Sequence, residues 1–171
     1  MFKVTGAVTS LAAALAAAPL FAAPASAAAI GPDADVCARG DSPSVLVRIP
    51  AFKERTGKLR VQIYGSNPAE FLAKGQWLKR IDLPITPSGP MNVCVALPRT
   101  GHFAVAVRHD LNGDGKSGWN DGGGFSRNPD ISLFELKPNY KKVVIEVGNG
   151  TKALDVYLNY RQGLAIRPLK P

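Results

Sequence analysis

The chain has 171 residues, of which 46% are hydrophobic and 20% are charged, and its formal net charge is +8 at pH 7. This length suits a single domain. The positive charge favours anionic partners, such as a component of the cell envelope. Nucleic acid is not an expected partner, because the Lys and Arg residues are scattered and are not interleaved with aromatic side chains that could stack on bases.

The first 27 residues have the pattern of a secretory signal peptide. Lys3 gives a positive start, an Ala- and Leu-rich run follows over 7–23, and small residues at 25–27 fit a cleavage site. A membrane-spanning helix is the alternative, but Pro19 and Pro24 interrupt the run and no basic stop-transfer cluster follows. We therefore expect a periplasmic or secreted protein with no later transmembrane segment.

Residues 28–43 are predicted to form an N-terminal arm that contains Cys37, and the other cysteine is Cys94. In an oxidising compartment such a pair indicates a disulfide, which would stabilise the fold by roughly 4 kcal/mol in the chain-entropy model. A redox or metal role is the alternative, but the sequence has no Cys-x-x-Cys motif and no His near either cysteine. Cys94 alternates with the apolar residues of its predicted strand, so we expect the arm to cross the outer surface.

Strand patterns dominate the rest of the chain. Apolar and polar residues alternate with a period of two between Gly, Pro and Asn residues, which is typical of strands. The strands predicted in this way span residues 44–50, 57–65, 91–98, 101–110, 130–137, 141–148 and 151–160, with a short edge strand over 80–88. One all-β domain over 44–160 follows, a two-sheet antiparallel β-sandwich of the Ig-like kind with seven to eight strands.

The connections and the chain end complete this prediction. Asn149-Gly150 lies between the last two predicted strands and is a strong hairpin signal. One short helical turn is expected within 67–80, where Pro68 suits the first helical position. Residues 161–171 are predicted to be a loose C-terminal tail.

The stretch 109–129 concentrates the side chains that could carry chemistry. Its spacing matches a calcium-type loop over 110–121, in which oxygen ligands stand at the first, third, fifth, seventh and twelfth positions. The predicted ligands are four side chains and one backbone carbonyl, which converge on one Ca²⁺: Asp110, Asn112, Asp114, Asp121 and the carbonyl of Lys116. A strand precedes the loop where an EF-hand has a helix, so this is not an EF-hand.

The alternative interpretation of the same loop is a metal-free turn. Asn112-Gly113 and Asp114-Gly115 are both turn dipeptides, and Asp and Asn side chains bond to their own backbone in such turns. The Gly-rich continuation over 122–124 is long for a simple turn, and loops of this length are usually functional or mobile.

Two functional hypotheses are open. The first is a non-enzymatic binding or structural module, and the second is a small hydrolase or a carbohydrate-acting or carbohydrate-binding domain that uses the loop 109–129. No catalytic residue is assigned, because Ser126 lacks the context of a nucleophile elbow and His109 and Asp110, as neighbours on a strand, point apart. His109 is instead predicted to be structural. The candidate contact residues for a ligand are His109, Trp119, Phe125, Ser126 and Arg127.

Three stretches in this order resemble the small secreted bacterial proteins of domain-of-unknown-function family 2141: GKLRVQIYGSNPAEFLAKG, GHFAVAVRHDLNGDGK and GGGFSRNP. The most specific part is the His-Asp-x-Asn-x-Asp-Gly-Lys block at 109–116. The resemblance covers about residues 44–159. It implies a transthyretin-like β-sandwich exported to the periplasm, with no assigned activity. Arg127 interrupts the Ser-Asn pair of the family, and the two cysteines are not general family features.

Overall fold

The computed structural model describes residues 1–2 and 28–171. The predicted signal peptide, 1–27, therefore lies almost entirely outside the described residues. Within the described part, no helix is both long and apolar enough to cross a membrane.

The described residues form mostly short strands. In chain order the elements are α1 Ala34–Arg39, β1 Ser44–Ile49, β2 Lys58–Tyr64, a 3-10 turn Pro68–Glu70, β3 Lys79–Pro84, β4 Met91–Ala96, β5 Gly101–Asp110, β6 Gly122–Phe125, α2 Tyr140–Val143, β7 Ile145–Val147, β8 Thr151–Asp155, β9 Asn159–Gln162 and β10 Ala165–Pro168. The predicted helical turn is the 3-10 turn, and Asn67 caps it by accepting a hydrogen bond from the Ala69 N–H at 3.1 Å.

The strands build two sheets, which confirms the predicted all-β sandwich. The smaller sheet has the order β4–β1–β8, and the larger sheet has the order β10–β9–β6–β5–β2–β3, with β7 paired to the start of β5. β3 lies at an edge of the larger sheet, as predicted for the segment 80–88. The sandwich is not wholly antiparallel, because β8 runs parallel to β1.

The main core lies between the two sheets. Alternate residues of four strands point into it: Val45, Val47 and Ile49; Leu59, Val61 and Ile63; Met91, Val93 and Val95; and Phe103, Val105 and Val107. Burying one such side chain stabilises the fold by about 1.5–3 kcal/mol. The residues between them on β2 and β5 point away from the core, onto the outer face of the larger sheet.

A second apolar cluster covers one end of that outer face. It consists of Tyr64, Ala104, Ala106, Phe125, Tyr140 and Val143. Phe71 packs edge-on against three of their rings, with centroid distances of 5.4, 6.1 and 5.8 Å to Tyr64, Phe125 and Tyr140. The segments 66–78 and 126–144 therefore cover the sheet where β5 begins and leave the outward residues at the end of β5 uncovered.

The N-terminal arm lies on the outer face of the smaller sheet. Cys37 of α1 and Cys94 of β4 form a disulfide with a Cα–Cα distance of 5.9 Å, which confirms the predicted bridge. Ile30 adds a parallel bridge to Val93, and the Asp33 carboxylate accepts a hydrogen bond from the Ala96 N–H at 2.9 Å. The arm thus shields the face of β4 opposite the core.

Two predictions around the Gly-rich stretch were wrong. Residues 130–137 alternate in polarity but form no strand, because the segment lies over the outer face of the larger sheet, where Ile131 packs against the second apolar cluster. Gly122–Phe125, predicted as loop, is instead the strand β6 in the middle of the larger sheet. Glycine weakens strands in general, but a Cβ on Gly122 would stand 2.4 Å from the Tyr160 ring and one on Gly124 would stand 2.6 Å from Val156.

The end of the chain also differs from the predictions. The segment 141–148 begins in the helix α2 and only its last part is a strand. Asn149-Gly150 is not a hairpin, because β7 pairs with β5 in one sheet and β8 with β1 in the other, so this turn carries the chain between sheets. Residues 161–171 are not a loose tail, since β9 continues to Gln162 and β10 pairs with it.

Candidate functional site

Carboxylates of the loop after β5 hold the loop closed through its own backbone. Asp110 Oδ2 accepts a hydrogen bond from the Gly115 N–H at 2.8 Å. The two oxygens of Asp121 accept from the N–H groups of Leu111 at 3.1 Å and Gly118 at 2.7 Å. These two side chains therefore fix the two ends of the loop to each other.

Asn112 and Asp114 build the exposed tip of the loop. Asn112 Oδ1 accepts from the Asp114 N–H at 3.2 Å, and Asp114 Oδ1 accepts from the Lys116 N–H at 2.8 Å. The hydrogen bond from the Lys116 backbone, followed by the one from the Asn112 amide, holds the pKa of Asp114 below its usual range. The bonds from the Asp114 and Lys116 N–H groups are the local side-chain-to-backbone bonds of Asx turns.

The expected Ca²⁺ site rests on the spacing of the loop and on one carboxylate oxygen of Asp110. Among the described residues, no three histidine, cysteine or carboxylate side chains are grouped so that they could hold a metal ion. Asp110 Oδ1, however, is buried with no hydrogen-bond partner in the described part of the chain, which is unusual for a carboxylate oxygen. Calcium binding stays a prediction.

A guanidinium group already lies against the loop. Arg108 Nη2 donates to the Gly115 carbonyl at 2.8 Å and approaches Asp110 Oδ2 at 3.4 Å, while Nη1 donates to the Ser117 hydroxyl at 3.1 Å. Desolvation, and then the charge of Arg60, lower the pKa of Arg108. The protein therefore holds a cation in surroundings that disfavour its charge.

His109 is fully buried on the core side of β5. Its Nε2 lies 2.8 Å from the Thr56 carbonyl oxygen and its Nδ1 lies 2.7 Å from the Tyr160 hydroxyl. Since a carbonyl can only accept, Nε2 carries the proton and Nδ1 accepts from Tyr160. Burial raises the pKa of Tyr160 to about 12, so Tyr160 keeps the proton it donates. Both ring nitrogens of His109 thus hold structure together.

Ser126 is also fully buried and is bound to the backbone. Its Oγ accepts from the Val105 N–H at 3.0 Å and donates to the Val143 carbonyl. Arg127, in a left-handed conformation with φ of 64°, donates to the Lys141 carbonyl at 3.0 Å. The structure therefore does not bring Ser126 and His109 together, and Arg127 anchors the segment around α2.

A groove of about 590 Å³ lies on the outer face of the larger sheet. This volume is within the range of about 300–1,000 Å³ that is typical of small-molecule sites. Gly123 of β6 lies on its floor, and a Cβ there would meet nothing within 4 Å. The loop after β5 forms one wall with Ser117 and Trp119, and Leu72 and Trp77 contribute to another. We call this feature the sheet groove.

Positive charge prevails in the sheet groove. Of the described residues that line it, five are cationic, Arg60, Lys74, Arg108, Lys137 and Arg161, and one is anionic, Asp121. Both oxygens of Asp121 already accept backbone hydrogen bonds. Arg60 and Arg108 stand directly opposite each other in the register of β2 and β5, an arrangement of like charges that is unfavourable by itself. Among these five cations, Arg60 alone has a close carboxylate outside the loop in the part of the chain that the structure describes, Asp82 at 2.6 Å.

Two guanidinium donors of residues that line the sheet groove have no hydrogen-bond partner among the described residues. Arg108 Nε and Arg161 Nη1 are buried and make no hydrogen bond to any described residue. Arg161 is held in place by its Nε, which donates to the Gly163 carbonyl at 2.7 Å, and by stacking on Trp119, with 3.7 Å from its guanidinium carbon to the ring centroid. Buried donors of this kind normally have an acceptor.

Several residues predicted from the sequence meet in the sheet groove, and others do not. Trp119, Asp121 and Phe125 line it, whereas His109 and Ser126 are buried elsewhere. Sequence reasoning missed the arginines and Asn159. Each arginine is an outward residue of a strand, but only the strand order β9–β6–β5–β2 brings the three arginines onto one sheet face.

The fold and site together define a class of protein: a small β-sandwich with a cationic groove on one sheet. The family model described as "Uncharacterized protein conserved in bacteria (DUF2141)" matches residues 47–155. The chain belongs to this family, as the resemblance in its sequence predicted. Neither the search of curated proteins nor the search of solved structures found a match.

Proposed function

We propose that this protein is an exported, non-enzymatic binding protein and that the sheet groove binds an anionic ligand of the cell envelope. The observation that carries the proposal is the pair of buried, unpartnered donors of Arg108 and Arg161 within a lining of five cations and one anion. An anionic ligand that entered between these side chains would supply the missing acceptors, and charge-assisted hydrogen bonds of this kind are the strong ones.

The state of the polar residues favours binding over catalysis. A hydrolase that used His109 and Ser126 would need them within reach of each other or open to substrate. Both side chains are fully buried, and both bond to structural partners. Trp119, with 72% of its surface exposed, supports the alternative of a carbohydrate-binding domain, because an exposed tryptophan ring can stack on a sugar.

Export is supported by two independent features. The N-terminal residues have the pattern of a signal peptide. The Cys37–Cys94 disulfide fits an oxidising compartment. A periplasmic or extracellular location would place the sheet groove among anionic glycans and lipids.

Ca²⁺ belongs to the proposal as a structural ion. In this hypothesis the unpartnered Asp110 Oδ1 becomes a ligand, together with Asn112, Asp114, Asp121 and the Lys116 carbonyl. The ion would add positive potential to the wall of the groove.

The proposal is tested by titrating purified mature protein with anionic probes: oligogalacturonate, inorganic phosphate, dodecanoate and vesicles that contain phosphatidylglycerol. At least one probe should bind, more weakly as salt rises. Arg108→Gln and Arg161→Gln should each weaken that binding about tenfold, the effect of one lost charge-assisted hydrogen bond.

Lys152→Gln is the matched control, because it removes one exposed positive charge from β8 in the smaller sheet. Its affinity should stay within about twofold of wild type. Failure of every anionic probe to bind, or equal losses in all three variants, would refute the groove as an anion site. Arg161→Gln decides the question if Arg108→Gln fails to fold.

A further inference from the structure

We infer that the ligand of the sheet groove is an anionic amphiphile, in which a carboxylate or phosphate head is joined to a single apolar chain. The inference rests on the proposed function, because it takes the cationic groove as the binding site and specifies what occupies it.

The paired arginines of β2 and β5 lie at one end of the sheet groove, and an apolar surface lies at the other. Arg60 and Arg108 pair across β2 and β5, whereas Tyr64 pairs with Ala104 four residues further along the same ladder. At about 3.3 Å per residue, the two ends lie about 13 Å apart. The apolar end adjoins the second apolar cluster, against which Leu72, Trp77 and Ile131 are packed. A head group bound by the arginines would therefore direct a chain toward apolar side chains.

The segment 130–137 adds exposed apolar surface beside this end. Ile131, Leu133 and Leu136 line the sheet groove, yet Leu136 is 55% exposed and Phe134, between them, is fully exposed. Exposed apolar side chains that cluster beside a groove mark an interaction site more often than isolated ones do. The segment has no strand or helix, and long loops of this kind are usually functional.

An acidic polysaccharide fits these features less well. It would leave the apolar wall exposed, and its hydroxyl groups would find few partners there. One face of the exposed Trp119 is also occupied by the Arg161 guanidinium. Charge complementarity at one end and apolar surface at the other together favour one molecule that carries both properties.

The test compares four ligands by calorimetry with the mature protein: dodecanoate, decanoate, monolaurin as the same chain without charge, and glucuronate as the charge without a chain. Dodecanoate should bind most tightly. Decanoate should bind about tenfold more weakly, because two fewer methylenes are buried. Monolaurin and glucuronate should each bind at least tenfold more weakly than dodecanoate.

Blocking the floor gives a second readout. Gly123→Leu should abolish dodecanoate binding, because the side chain would enter the sheet groove. Gly148→Leu, at an exposed glycine that also has open space around its Cβ, should not change it. Phe134→Ser should weaken dodecanoate binding and leave glucuronate binding unchanged.

The outcomes separate the inference from the function on which it rests. Equal affinities for glucuronate and dodecanoate would overturn the amphiphile and keep the anion site. Equal affinities for monolaurin and dodecanoate would overturn the role of the arginines. No binding of any anion, or a dimer that Phe134→Ser dissociates and that binds no dodecanoate, would overturn both proposals.

Discussion

His109 and Asp110 are neighbours in the sequence and point to opposite faces of the larger sheet. His109 faces the core and joins Thr56 to Tyr160, whereas Asp110 faces the loop after β5 and bonds to Gly115. The period-two geometry of a strand causes this division, since a one-residue step reverses the direction of the side chain. At the residue scale, the same short block therefore serves stability on one face and the candidate site on the other.

Tyr160 should make the stability of the protein depend on pH in alkaline solution. Its pKa is about 12 in the folded protein and about 10 when unfolded, so the neutral hydroxyl stabilises the fold fully below pH 10. This contribution is lost as the pH rises from 10 to 12, and it amounts to about 2 kcal/mol. Urea denaturation of wild type and Tyr160→Phe over this range should show a steeper decline in wild type.

Burial also raises the pKa values of Tyr64 and Tyr140, so the wild-type decline alone has more than one source. The difference between wild type and Tyr160→Phe isolates the one hydroxyl. Parallel declines in the two proteins would contradict the assignment.

β6 is the element on which the site depends. Gly122 and Gly124 let Tyr160 and Val156 pack against β6, and Gly123 keeps the outer side open as the floor of the sheet groove. Side chains on the other strands supply the charges around it. The missing side chain at Gly123 therefore leaves room for the sheet groove, and the chemistry of a glycine alone would not predict this role.

Gly122→Ala should be strongly destabilising. The new Cβ would lie 2.4 Å from the Tyr160 ring, whose hydroxyl bonds to His109, so the ring or the strand must move. We expect a loss of about 1–3 kcal/mol in the free energy of unfolding, as for other overpacked sites. Gly123→Ala is the matched control and should change stability by less than about 0.5 kcal/mol. Similar losses in both variants would contradict the close approach.

The hypothesis of a calcium site concerns the loop after β5 and can be tested by thermal melting. If Ca²⁺ binds, the protein should gain about 2.7 kcal/mol at a hundredfold excess over the dissociation constant. Thermal melts in millimolar CaCl₂ should then give a higher Tm than melts in chelator. Asp114→Ala should abolish the rise and leave the Tm in chelator nearly unchanged, because Asp114 is exposed. Asp130→Ala, which lies outside the loop, is the matched control and should keep the calcium-induced rise in Tm.

A wild-type Tm that is the same in CaCl₂ and in chelator would support the turn interpretation. The hydrogen bonds of Asp110, Asn112 and Asp114 to their own loop backbone would then account for these residues without an ion.

At the scale of the whole molecule, the sandwich is shielded differently on its two outer faces. The N-terminal arm and its disulfide lie over the smaller sheet. The second apolar cluster covers only part of the larger sheet, and the sheet groove occupies the rest. The arrangement leaves one main open surface for a ligand in the described part of the chain.

The disulfide should contribute to the stability of this arrangement without being needed for the sandwich. The double variant Cys37→Ser and Cys94→Ser should lose about 4 kcal/mol of unfolding free energy, the loop-closure value for a separation of 57 residues. Denaturant melts of wild type with and without reductant are the matched measurement. A free thiol in the mature oxidised protein, or no loss in the variant, would contradict the bridge as a stabilising element.

Most of the fold could be predicted from local patterns. Alternating residues mark β1, β2, β4 and β5, because a half-buried strand needs that period in any context. The Gly-rich β6 could not be predicted in this way, since glycine favours no strand and its role depends on Tyr160 and Val156 packing against it. The segment 130–137 shows the opposite failure, because it has a strand pattern but packs on the face of the larger sheet and forms no strand.

The sequence by itself determined the all-β class, the pairing of the only two cysteines, the family, and the residues of the loop after β5. Only the tertiary structure decided the parallel pairing of β8 with β1 and the crossing between sheets at Asn149-Gly150. It also decided the site, because Arg60, Arg108 and Arg161 come from strands far apart in the chain. Local patterns report which way a side chain points from its own strand. The neighbours of that side chain depend on strand order, which the packing of the whole chain establishes.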